Sequence, residues 1–159
     1  MELNQFIISV KEADWHSFED VPNSLIALAI ANQESKDGIY QIENMESDLL
    51  LNAEITNNVL SSVGNNHAGT YFPIVLTALP YIVQIALYGN HALARNCAIN
   101  ILIDLYYFCP DSTMSEELET SVKRNIETAI AENIANFEKF AVDDSRNKSL
   151  IESLIGIIE

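Results

Sequence analysis

The stretch "HAGTYFPIVLTALPYIVQIALYGN", His67 to Asn90, contains no Asp, Glu, Lys or Arg and is interrupted by Pro73 and Pro80. It belongs to a longer uncharged region, since Arg95 is the one charged side chain between Glu54 and Asp104. The chain as a whole holds 23 acidic and 8 basic residues, a formal net charge of −15. Charge is therefore segregated along the sequence, with the acids in the first and last thirds. A helix covered by neighbours on more than one side must be apolar nearly all round, whereas a surface helix keeps a polar face. The middle helices are thus expected at the centre of the molecule, roofed by acidic outer ones.

A membrane span is the competing reading, because Tyr71 to Tyr88 approaches the ~20 residues a bilayer crossing needs. Pro80 has no N–H for the carbonyl of Leu76 and clashes with it. The run is therefore expected to kink or to split into two helices of about two turns each, too short to span. Flanking Arg and Lys anchors are also missing. A soluble protein is expected, with no membrane partner.

At 159 residues the chain suits one domain, residues 1–159, that buries roughly two-thirds of the surface exposed when unfolded. Its 48% hydrophobic content and mean hydropathy of +0.09 lie outside the composition of disordered chains. The acidic balance, with a pI of about 4.3, argues against nucleic acid or anionic lipid as a direct ligand and makes a basic partner the natural complement. Glu2 stands where a secretion signal would carry positive charge, so no export signal is read. Cys97 and Cys109 fall twelve apart in one predicted helix. At ~1.5 Å per residue they are ~18 Å apart, too far for a disulfide. Reduced core thiols and a cytoplasmic location are expected.

The periodicity is helical throughout, and no segment alternates long enough to make a strand. Pro22 sits in the first turn of a helix along "PNSLIALAIAN", with Leu25, Leu28 and Ala29 at helical spacing. A shorter helix is predicted around Ile39 to Met45. The next is capped by Ser47 or Asp48, carries a stripe through Leu49, Ala53, Thr56, Leu60 and Val63, and ends at Gly64. After Gly89 and Asn90, the residues Ala94, Cys97, Ala98, Ile101, Leu102, Leu105 and Phe108 form one wide apolar face, with Asn96, Asn100 and Asp104 as the opposing polar stripe before Pro110. A long amphipathic helix begins with Glu116, Glu117 and Glu119, which complement its dipole, and is expected to bury Leu118, Val122, Ile126, Ile130, Ile134, Phe137 and Ala141. Asp143 and Asp144 are read as opening the last helix, with Leu150, Ile151, Leu154, Ile155 and Ile158 as its apolar face. The expected architecture is all-α, about seven or eight helices in stacked antiparallel hairpins of the solenoid type.

"HAGTYFPIVLTALPYIVQIAL" resembles a signature of small bacterial HEAT-like repeat proteins, in which a His-x-Gly-Thr turn precedes a buried helix and a Pro-aromatic-apolar helix start. The matching residues are His67, Gly69, Thr70, Pro80, Tyr81 and Ile82, and "DVPNSLIALA" resembles the proline-led helix placed upstream. The likeness covers roughly the first two-thirds of the chain. Ala68 stands where Gln is frequent, and the signature does not extend past Glu116. Several such proteins are similar to immunity proteins of polymorphic or contact-dependent growth inhibition toxins, small acidic proteins that bind and neutralise one toxin domain. The resemblance implies that role and transfers no catalytic residue.

Signatures of catalysis are sparse. His16, His67 and His91 are scattered, and none has a partner at metal-ligand spacing, so no metal or other cofactor is expected. The setting of His67 suits a turn and that of His91 a helix start. The five glycines are isolated, which leaves no phosphate loop. A Cys-His dyad would have to assemble in space, yet both cysteines fall on the predicted buried face. Glu116 and Glu117 are more simply dipole partners than acid/base catalysts. The expectation is a non-enzymatic protein that occludes a basic toxin domain, a nuclease, inside the cell. Asp14, Glu19, Asp20, Glu43, Glu46, Asp48 and Glu54 would meet the Lys/Arg surface of that domain, with Trp15 and Tyr40 as exposed aromatic anchors. The competing reading is a helical-repeat adaptor with no toxin partner.

Overall fold

The computed structural model describes residues 1–32, 45–65, 70–107, 116–143 and 148–159. Seven helices occur among these residues: α1 (Leu3–Glu12), α2 (Asp20–Ala29), α3 (Met45–Ser62), α4 (Val75–Tyr88), α5 (Ala92–Tyr107), α6 (Glu116–Asp143) and α7 (Lys148–Ile155). The protein is all-α apart from one minimal hairpin. Strands β1 (Gly64–Asn65) and β2 (Thr70–Tyr71) pair antiparallel, Gly64 opposite Tyr71 and Asn65 opposite Thr70. Two residues per strand are too few to leave an alternating pattern in sequence. The helix expected to end at Gly64 therefore stops at Ser62, and Gly64 begins the hairpin.

α2 packs on α3 and α4 on α5. α3 and α5 lie against each other, α6 covers α4 and α5, and α7 closes on α5 and α6. The expected centre is the observed one: α5 buries Leu93, Ala94, Cys97, Ala98, Ile99, Ile101, Leu102 and Leu105. On α4, Val75, Ala78, Leu79, Ile82, Ile85, Ala86 and Leu87 are buried. No helix among the described residues is long and apolar enough to cross a membrane.

Several local expectations are corrected. α4 runs unbroken through Pro80 rather than splitting there. Its first turn is closed by i→i−3 bonds, Val75 N–H to Phe72, Leu76 to Pro73 and Thr77 to Ile74, at 2.9 to 3.1 Å. Pro80 itself is exposed, in line with the exposed Gln84 and Tyr88. The bond that proline cannot make thus lies on the outer side, while burial of the inner face holds the helix together. α4 is accordingly not apolar-covered all round.

α3 begins at Met45, ahead of the expected cap at Ser47 or Asp48. Its buried line runs through Thr56, Val59, Leu60 and Val63, and Ala53 is exposed. Asp143 closes α6, accepting an ion pair from Lys139 at 2.6 Å, instead of opening α7, which starts at Lys148. His91 directly precedes α5, and its carbonyl accepts the Arg95 N–H at 3.2 Å. The short helix predicted from Ile39 lies outside the described residues as far as Asn44, as do Phe108, Cys109, Pro110 and Asp144.

α6 bends at Asn133, whose φ of −128° and ψ of 18° are not helical. The apolar positions Leu118, Val122, Ile126, Ile130 and Ile134 are four apart, and each four-residue step advances about 40° around a helix with 3.6 residues per turn. A straight helix would carry that stripe off the core. The bend resets it, so that Phe137 and Phe140 are buried while Ile134 is only half-buried.

Candidate functional site

Trp15 is not an exposed anchor. It is 7% exposed, and its indole N–H donates to the Val10 carbonyl. Its ring lies 5.7 Å from Tyr81, which also meets Phe6 edge-on at 5.8 Å. The Tyr81 hydroxyl donates to the Ser9 carbonyl at 3.1 Å. These three aromatics fasten α1 and its following turn onto α4, because a large ring gains more from burial with its polar atom satisfied than from solvent contact.

The expected acids separate into groups. Asp14, Glu19 and Asp20 are exposed in one loop and at the start of α2, next to Glu12 at the end of α1. The Asp14 carboxylate accepts the His16 N–H at 3.0 Å and stands 3.1 Å from His16 Nδ1. His16 adopts a φ of 53°, the left-handed conformation that this turn requires. Asp20 lies in the first turn of α2, where a negative charge complements the dipole. Glu54 is exposed on α3, a different element. Glu46 and Asp48 belong to the first turn of α3, and Tyr40 and Glu43 lie outside the described residues.

A second polar feature joins α3 to α5. Asn96 and Asn100, expected on a solvent-facing stripe, are half-buried and bonded across the helix pair. The Asn52 amide N–H donates to Asn96 Oδ1. That of Asn100 donates to Asn96 Oδ1 at 3.2 Å and to Asn52 Oδ1 at 3.4 Å. Thr56, a buried polar residue of α3, donates its hydroxyl to Asn52 Oδ1 at 3.3 Å. One turn further along α5, Asp104 is half-buried, and desolvation holds its carboxyl above the usual carboxylate range. The spacing of Asn96, Asn100 and Asp104 was legible in sequence. Asn52 was not, because nothing in the local pattern of α3 distinguishes it from a solvated amide.

Arg95, the isolated cation of the middle region, is turned away from this seam. Its Nε–H donates to the Ala86 carbonyl at 3.0 Å, and its guanidinium lies 3.6 Å from the centroid of Phe140. It thereby ties the end of α4 to the second half of α6. Cys97 Sγ lies 3.9 Å from the Asn52 carbonyl, and burial pushes its thiol up to about 11. At neutral pH that group is a protonated core thiol rather than a nucleophile. Among the described residues no three His, Cys, Asp or Glu side chains gather as metal ligands. No protein-family model matches this chain, and no curated protein or solved structure matches it.

Proposed function

We propose that this chain is an immunity-type protein that binds a basic toxin domain, a nuclease, inside the cell and neutralises it by stoichiometric occlusion. A HEAT-like stacking of helical hairpins is part of this reading. The observation that supports it is a surplus of exposed carboxylates without counter-ions among the described residues. Glu12, Glu19, Asp20, Glu54 and Glu132 are exposed and form no ion pair with a described residue. Exposed negative charge of this kind raises the on-rate for a Lys/Arg-rich partner, whose cationic cleft it would occupy in place of nucleic acid.

Co-expression with the protein domain encoded by the adjacent gene tests the proposal. A one-to-one complex that co-purifies and restores growth is expected. The double variant Glu19→Lys, Asp20→Lys should slow association about tenfold at low salt, with a shallower salt dependence. Growth inhibition that persists despite folded, abundant protein would refute the immunity role. Tight capture of a neutral peptide instead would favour the adaptor reading.

A further inference from the structure

We propose that the face of α5 bearing Asn96, Asn100, Asp104 and Tyr107 is a seat for an arginine side chain of a basic protein partner. The inference rests on the reading above that the partner is basic, and it names where one of its cations docks. Positions 96, 100, 104 and 107 recur at helical spacing and fall within about 80° of one side of the helix. Asn52 of α3 fixes the first two by the bonds already described, and these consume the amide N–H groups of Asn100. Asn100 Oδ1 accepts no hydrogen bond from a described residue, and the Asp104 carboxylate pairs with none. Tyr107, three residues beyond Asp104, is 54% exposed, its ring held edge-on to Tyr106 at 5.2 Å.

The Asp104 carboxylate and Asn100 Oδ1 are therefore unengaged acceptors, set beside an exposed aromatic ring. A planar guanidinium matches that set: it can donate in parallel to a carboxylate, give a further N–H to the amide oxygen and stack on the tyrosine. A lysine would engage the carboxylate as a point charge and use neither the plane nor the ring as well. A divalent cation would need more charged oxygen ligands than one carboxylate supplies. The cation nearest in sequence, Arg95, is committed to Ala86 and Phe140 and leaves the seat unneutralised. Because Asp104 is already partly desolvated in the free protein, an arriving cation gains its attraction without much further loss of carboxylate hydration.

The test is an NMR titration of the full chain with Nα-acetyl-arginine amide, set against the neutral isostere Nα-acetyl-citrulline amide. Saturable shifts are expected at the Asn96 and Asn100 side-chain amides and at the backbone amides of Asp104 and Tyr107. Apparent affinity should be about tenfold weaker for the citrulline probe, and for the arginine probe with Asp104→Asn, as for loss of one charged hydrogen-bonded contact. Asp104→Asn keeps the side-chain shape, and an unchanged or raised melting temperature verifies its fold. Equal response to both probes, a wild-type titration by Asp104→Asn, or shifts confined to Glu12 through Asp20 would overturn the proposal. If the arginine probe seats on α5 but no basic domain binds the chain, the functional reading fails and the seat stands. If a basic domain binds Asp104→Asn undiminished and the probe does not titrate, the seat alone fails.

Discussion

Asp104 carries a consequence for stability that is independent of any partner. Burial raises its carboxyl pKa in the folded chain above that of the unfolded chain, so the native state holds the proton more tightly. The charged form accordingly weakens folding as pH rises out of the carboxylate range. Asp104→Asn should raise the melting temperature at pH 7, and the gain should shrink as pH falls through that range. Parallel thermal melts of both proteins from pH 3 to pH 8 would check this. Cys97 provides a second test at the same scale. In a Cys109→Ser background, Cys97 should resist a thiol reagent at pH 8 and react at once in denaturant, because its folded-state thiol ionises only near 11. Trp15 shows where residue-level reading falls short. An aromatic in a polar loop looks like an anchor, and only the positions of Tyr81 and Phe6 reveal that it is a clamp.

The elements themselves were largely readable, and their ends were not. The apolar stripes of α2, α5 and α6 follow directly from spacing, since a helix must hide whichever face is greasy. α4 survives Pro80 because seven buried side chains on its inner face hold a helix that propensity alone would break. The C-terminal end of α4 depends on a close approach of Gly89 to the preceding turn. A Cβ on Gly89 would stand 2.6 Å from the Ile85 carbonyl oxygen and 3.0 Å from Arg95 Cγ. Gly89→Ala should therefore cost about 1–3 kcal/mol by displacing the last turn of α4 and the Arg95 side chain, measurable as a lower urea midpoint at unchanged slope. The bend of α6 at Asn133 was not anticipated, because four-residue apolar spacing drifts around a straight helix without fixing where the chain bends.

At the scale of the molecule, an exterior of charge −15 repels itself. The three described lysine pairs, each spanning one helical turn, add little, since exposed pairs contribute at most about 1 kcal/mol. Raising sodium chloride from roughly 20 to roughly 300 mM should thus raise the melting temperature, by screening repulsion faster than it weakens those pairs. A fall on adding salt would mean that attractive pairs dominate. The sequence by itself determined that the chain is helical, that its uncharged middle lies at the centre and that most of its described acids face outward, because hydrophobic burial and helical periodicity act on residues close together in the chain. Only the tertiary structure decided that Asn52 meets Asn96 and Asn100, that Arg95 reaches Phe140 and that Trp15 turns inward. Those contacts join residues far apart in sequence, and their energies exist only once the helices have docked.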